Sequence, residues 1–231
     1  MTASLVDHAI AVTGGFGALG TALGEVLLQA GAHVALIGRG QPPSGLSSAV
    51  LALGGVDLGD AAAARAAMDQ AAQRFGRLDG LVNVAGGFQW EKIEGGAIDT
   101  WDQMFAINVR TAVLASQAAL PHLLVRGRGR IVNVGAAAAG QAALGMGAYA
   151  AAKSGVARLT EAMAEEFKDR GITVNAVLPS ILDTPANRAD MPKADPARWV
   201  RPEALARVVS FLLSDDGAPV TGALIPVKGR V

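Results

Sequence analysis

The sequence predicts an α/β protein built on a single doubly wound parallel sheet with helices on both faces. Three observations carry that expectation. Short apolar runs alternate with longer helical patterns along the whole chain. Hydrophobic residues make up 51% of the chain and aromatics only 4%, so the core must be assembled from Ala, Val, Leu and Ile, as in a buried parallel sheet between helices. A run of glycines closes the first apolar segment and opens a helical one, the signature of a strand turning directly into a helix.

Strands are expected at 9–13, 33–37, 78–84, 130–134, 172–178 and 224–227, with a further strand ending at Val56-Asp57. Helices are expected near 18–30, 60–75, 99–126, 148–170 and 202–213. Strand and helix alternating in this way call for parallel strands joined by helical crossovers. The 231 residues suit one domain over 1–231, and no linker, repeat or composition break divides them. Segment 38–54, rich in Gly, Pro and Ser, reads as a loop. Segment 183–201 carries Pro185, Pro192 and Pro196 among several charges and reads as an irregular lid over a substrate site.

Twenty basic and twenty acidic residues give a formal net charge of zero, which points away from nucleic-acid and membrane surfaces. No apolar run reaches the ~20 residues that span a bilayer, and the N-terminal stretch lacks the basic start and apolar run of a signal peptide. With no Cys there is neither disulfide nor thiol catalysis, which fits a cytoplasmic location. His8, His33 and His122 are scattered, and nothing has the spacing of metal ligands, so no metal is expected. The partner expected is a small-molecule substrate.

The glycine run places Gly14, Phe16, Ala18, Leu19 and Gly20 at the junction of the first strand and first helix. There the backbone can approach a pyrophosphate, and the helix N-terminus offers N–H groups and a positive dipole end. The residues after the second strand select the nucleotide. A carboxylate would bind the adenosine ribose and repel a 2′-phosphate. The chain has Gly38-Arg39 instead, and Arg39 can fork onto a phosphate. NADP(H) is therefore favoured, with NAD(H) also allowed. Asp57 could reach the adenine or could serve as a turn or capping residue.

The order of motifs resembles the short-chain dehydrogenase/reductase family across nearly the whole chain. Thr13-Gly14 through Gly20 resembles its opening TGxxxGxG, with Ala18 in place of one glycine. Asn83-Val84-Ala85-Gly86 resembles its NNAG, Asn108 its catalytic asparagine, and Tyr149 with Lys153 its YxxxK. Asn175 to Pro179 followed by Thr184 resembles its NxVxPGxxxT, with Ser180 at the glycine. The resemblance implies a Rossmann fold and an NAD(P)-dependent oxidoreductase. Its catalytic residues would be Tyr149, Lys153 and Asn108, with cofactor contacts also at Asn83, Ala85, Gly86, Pro179, Ile181 and Thr184. It further implies a homodimer or homotetramer through helices 99–126 and 148–170, where Ala112, Ala115, Ala118, Ala119, Ala157 and Ala164 would permit close packing.

One position departs from the family. Its catalytic serine, thirteen residues before the tyrosine, is Ala136 here. Quinonoid dihydropteridine reductases also lack that serine. The stretches 84–87, 135–146, 149–153, 178–185 and 187–192 resemble that narrower branch, while Arg39 and Asn108 follow the wider family.

Tyr149 and Lys153 are four apart, so one helix face presents both. A phenol of ordinary pKa near 10 needs about 4 kcal/mol to exchange protons near neutral pH. An ammonium about 4 Å away at an effective dielectric near 20 supplies that much. Lys153 is thus expected to lower Tyr149, making it a proton donor in reduction and a base in oxidation. Phe88, Trp90 and Met146 could line a pocket for a flat conjugated ring or could make lid contacts. The reaction expected is hydride transfer to a carbonyl or quinonoid group, performed by a general reductase or a dihydropteridine reductase-like enzyme. A nucleotide-binding protein weakened in catalysis is the alternative from another class.

Overall fold

The structure, a computed structural model, describes residues 4–231; residues 1–3 of the expected domain lie outside the described residues. In chain order the strands are β1 (Ala9–Thr13), β2 (His33–Ile37), β3 (Leu51–Leu53), β4 (Gly80–Asn83), β5 (Gly129–Val134), β6 (Ile172–Pro179) and β7 (Leu224–Val227). The helices are α1 (Ala18–Gln29), α2 (Ala61–Phe75), α3 (Ile98–Phe105), α4 (Thr111–Val125), α5 (Gly147–Phe167), α6 (Pro185–Asp190) and α7 (Pro202–Leu213).

All seven strands join one parallel sheet in the order β3-β2-β1-β4-β5-β6-β7. The expected doubly wound architecture is present. The two halves wind outward from the β1/β4 boundary, where Thr13 sits beside Ile37 on one side and Asn83 on the other. At such a boundary the connections leave in opposite directions and open a crevice at the carboxyl ends of the strands.

Alternation along each strand assigns the two faces. Ile10, Val12 and Val34 pack with Leu19, Leu23 and Leu27 of α1 and Leu205, Val209 and Leu212 of α7. Ala11, Leu81 and Ile131 pack with Ala64 and Met68 of α2, Ala115 and Ala119 of α4, and Met163 of α5. Small alanines let the helices lie close to the sheet, which is why so few aromatics suffice. The alanines expected to face a partner subunit are therefore otherwise engaged. Ala112, Ala115, Ala118, Ala119, Ala157 and Ala164 are buried in the chain's own core, and they offer no support for an oligomer. None of the described helices is long and apolar enough to cross a membrane.

Local differences from expectation have identifiable causes. A third strand lies inside the segment expected as loop. It is a partly buried edge strand of three residues pairing with Ala35, Leu36 and Ile37, too short to show periodicity. Asp57 lies beyond it, in the following turn. Strand β4 is shorter than 78–84, because the Val84 N–H turns aside to the Thr13 hydroxyl at 3.0 Å. The long helix at 99–126 is divided by a π-helical turn over Ala106–Arg110. Within the expected lid, α6 begins at Pro185 and is capped by Thr184, whose hydroxyl accepts from Asn187 N at 3.2 Å.

Candidate active site

The crevice at the β1/β4 boundary is a cleft of about 630 Å³, lined on one side by Gly14 to Gly20 and on the other by Val84, Ala85 and Gly86. Gly38, Arg39 and Gly40 close one end, and Thr184, Pro185 and Ala186 overhang it. Of the sequence-predicted cofactor residues, Gly14, Phe16, Ala18, Leu19, Gly20, Arg39, Ala85, Gly86 and Thr184 line this space. Asp57, Asn83, Tyr149, Lys153, Pro179 and Ile181 do not.

The turn is close-packed. Gly14 has φ +62°, and a Cβ there would lie 2.8 Å from Ala85 N; one on Gly20 would lie 2.3 Å from Gly14 O. Helix α1 starts at Gly17 with no side-chain cap, so the N–H groups of its first turn open on the cleft, as a pyrophosphate requires. At position 38, where an acid would contact the ribose, a Cβ would lie 2.5 Å from the Phe16 ring. Phe16 thus occupies the space of any side chain at 38. Among the described residues, Arg39 is the only charged one lining the cleft. It stands 3.4 Å from Asp57, and both side chains are largely in solvent. The donors and space fit a nicotinamide dinucleotide.

The acid–base candidates lie past Gly86, beyond the residues that line the cleft. Lys153 is 6% exposed, and among the described residues its ammonium donates one hydrogen bond, to Val134 O at 2.9 Å. Two of its three N–H groups remain available. Burial pushes its pKa down to about 8. The ammonium lies 5.8 Å from the centre of the Tyr149 ring. Burial also pushes Tyr149 up to about 12, so the expected lowering of the phenol by Lys153 is not what this geometry produces. Desolvation disfavours the phenolate, and the ammonium, 5.8 Å from the ring centre, does not offset it.

Asn108 lies in the π turn and is buried. Its carboxamide holds both backbone groups of one residue, accepting from Gly87 N at 3.2 Å and donating to Gly87 O at 3.0 Å. It also donates to Met104 O at 3.0 Å. A Cβ built on Gly86 would be 2.5 Å from Asn108 Oδ1 and 3.5 Å from Lys153 Nζ. The amide and the ammonium therefore flank one point at the cleft's inner end.

Other predicted residues support the site from behind. The Asn83 amide donates to Ser116 at 3.0 Å and Asn133 at 2.9 Å, inside the molecule and away from the cleft. Pro179 is buried at the end of β6, and Ile181 O accepts from Val200 N at 3.0 Å, tying down the base of the lid. The Ser180 hydroxyl donates to Lys228 O at 2.7 Å. Asp57 accepts from Gly59 N at 2.9 Å, a turn residue; the cap of α2 is Asp60, which accepts from Ala63 N at 2.7 Å. Ala136 is buried in extended backbone between β5 and α5.

Phe88 meets the Tyr149 ring edge-on at 5.0 Å between centroids. Phe88 and Trp90 are 56% and 53% exposed; Phe88 presents apolar surface beside the phenol, while the Trp90 ring lies over Gly145. Sequence reasoning missed Thr13 as a connector. Its hydroxyl accepts from Val84 N and Ala85 N at 3.0 and 3.1 Å and so fixes both walls of the cleft. The one signal was a hydroxyl ending an otherwise apolar strand. Among the described residues, no group of three or more His, Asp or Glu is placed to hold a metal.

The short chain dehydrogenase family profile matches residues 8–195. The 2-(S)-hydroxypropyl-CoM dehydrogenase 3 of Xanthobacter autotrophicus is 36% identical over 250 residues, covering 99% of this chain and 98% of that one. Among solved structures, a short-chain dehydrogenase of Burkholderia cenocepacia in complex with NADP superposes with a TM-score of 0.88 at 32% identity, over 97% and 98% of the two chains. The 3-ketoacyl-(acyl-carrier-protein) reductase of Brucella melitensis complexed with NADH gives 0.88 at 27% identity, over 98% and 99%.

Proposed function

We propose that this chain, which belongs to the short-chain dehydrogenase/reductase family, reduces a carbonyl or quinonoid substrate with NADP(H) in preference to NAD(H), Tyr149 being the proton donor. The family fixes the coarser statement: the chain is an NAD(P)-dependent oxidoreductase working between hydroxyl and carbonyl compounds. The observation that carries the finer reading is the convergence of Lys153 and Asn108 on Gly86, at the inner end of the cleft, with Tyr149 alongside.

The nicotinamide supplies the hydride when bound, and its oxidised ring carries a positive charge. The residues of this chain do the rest. Tyr149, held up to about 12, is a neutral phenol at working pH and so is in the donor state. The free N–H groups of Lys153 suit the nicotinamide ribose and can attract the phenolate left after donation. Asn108 sets the Gly86-Gly87 backbone against the lysine. Arg39, a charge lining the cleft, supports the choice of NADP(H), and the ring of Phe16 where an acid would stand supports it further.

Ala136 favours a second emphasis. A plain ketone concentrates charge on one oxygen as hydride arrives, and two donors hold it better than one. With a methyl group in place of the serine hydroxyl, Tyr149 is the donor the motif supplies, and a conjugated acceptor that spreads charge over a ring suits this site better. The dihydropteridine reductase-like reading and the weakened nucleotide-binder reading both stand on this residue. Turnover with NADPH and NADH on an aliphatic ketone, a quinone and quinonoid dihydropterin separates them. Tyr149→Phe is expected to lower kcat by about a hundredfold or more while cofactor Kd changes less than about twofold. A variant keeping half the wild-type kcat overturns the donor role. Tight cofactor binding without turnover of any of the three substrates makes the chain a binder.

A further inference from the structure

We propose that Asp57 sets the balance between NADPH and NADH by competing with the nucleotide's 2′-phosphate for Arg39. The inference rests on the cofactor reading above, and it concerns a residue that does not itself line the cleft. Arg39 lines the cleft wall and carries its only charge among the described residues. Behind it, Asp57 Oδ1 lies 3.4 Å from Arg39 Nη2. The same oxygen accepts from Gly59 N at 2.9 Å, so the carboxylate is pinned by its own turn while the arginine is not comparably tethered. The two side chains are 72% and 60% exposed. An ion pair in that setting is worth about 0.2–1 kcal/mol, too little to hold Arg39 from a phosphate. It is enough to tax the exchange.

The tax falls on one nucleotide alone. NADPH must draw the guanidinium from Asp57 to its phosphate, whereas NADH leaves the pair intact. No acid at position 38 is there to favour NADH, since Phe16 fills that space. Discrimination is then set by Arg39 less the fraction Asp57 retains. Asp57 acts through Arg39 as a positioning residue, a role distinct from contact with the adenine.

Cofactor dissociation constants, measured by fluorescence titration without substrate, test this. Asp57→Asn keeps an oxygen for the Gly59 N–H and removes the charge. It should tighten NADPH about two- to fivefold, the span of an exposed ion pair, and leave NADH unchanged. Asp57→Ser, which also keeps an oxygen for the turn, should behave alike. The gain should shrink in high salt and vanish when Asp57→Asn is made in an Arg39→Ala background. A gain that persists without Arg39 means direct repulsion of the phosphate and overturns the proposal. So does equal weakening of both nucleotides, the mark of a turn or adenine role. If Arg39→Ala alone leaves the NADPH/NADH ratio unaltered, the phosphate role of Arg39 falls first, and this inference with it.

Discussion

At the scale of single residues, burial is the dominant influence on the two groups nearest the reaction. Lys153 sits at about 8 because its ammonium has exchanged water for one carbonyl, and that has a consequence for stability. Between about pH 8 and 10 the folded chain has shed this proton while the unfolded chain, with an ordinary lysine at 10.5, still holds it. The unfolded state then binds more protons, so stability from this group rises with pH across the window. The gain is on the order of 2–3 kcal/mol, at about 1.4 kcal/mol per pH unit. Above about 10 Tyr149 acts in the opposite sense. The unfolded phenol ionises while the folded one stays protonated to about 12, and stability declines. Urea unfolding at pH 8 and pH 10 should show wild type gaining on Lys153→Met. A difference between the two proteins that does not move with pH refutes the burial account of Lys153.

At the scale of elements, the acid–base helix is held by a chain of buried amides and hydroxyls. Asn83 of β4 donates to Asn133 of β5 and to Ser116 of α4. Asn133 in turn donates to Thr160 of α5 at 2.9 Å, and Thr160 donates back to Val156 O at 2.8 Å. The network couples both central strands to the helix that carries Tyr149 and Lys153. Thr160→Val keeps the shape and strands the Asn133 N–H. The expected cost is about 1–3 kcal/mol, the penalty for an unpaired buried donor, read as a lower urea midpoint. Cofactor Kd should stay close to wild type, because no network atom lines the cleft. A variant as stable as wild type would show that Asn133 finds another partner. The π turn belongs to this scale too. One extra residue per turn lets Asn108 face Gly87 while α3 and α4 keep their own packing.

At the scale of the whole molecule, the cleft exists because two half-sheets wind away from one boundary and leave their strand ends uncovered there. A dinucleotide lying along it would meet the first half at α1 and the Gly38–Gly40 segment and the second at the Val84–Gly86 stretch. Binding should therefore stabilise both halves together. At a hundred times Kd, one ligand adds about 2.7 kcal/mol. For a chain of this size that corresponds to roughly 5–10 °C in Tm. NADPH should raise Tm more than NADH at equal concentration. Equal shifts for the two would count against the proposed nucleotide preference.

Much of this was legible in the residues alone. The parallel sheet, its winding, the glycine turn and the Tyr149–Lys153 helix face follow from periodicities of two and 3.6 and from glycines at a strand end. Each is a local property, printed along the chain wherever burial is continuous. The edge strand Leu51–Leu53 was not legible, because three half-buried residues carry no period. The lone hydroxyl of Thr13 gave no hint that it joins two strands 71 and 72 positions from their partner amides. Facing alanines on α4 and α5 could have served a partner or a core, and only the packing chose the core. The pairing of Arg39 with Asp57, the filling of position 38 by Phe16 and the raised pKa of Tyr149 were likewise decided by tertiary structure. Each depends on distances between segments remote in sequence and on how much water the fold excludes, and no local pattern of residues encodes either.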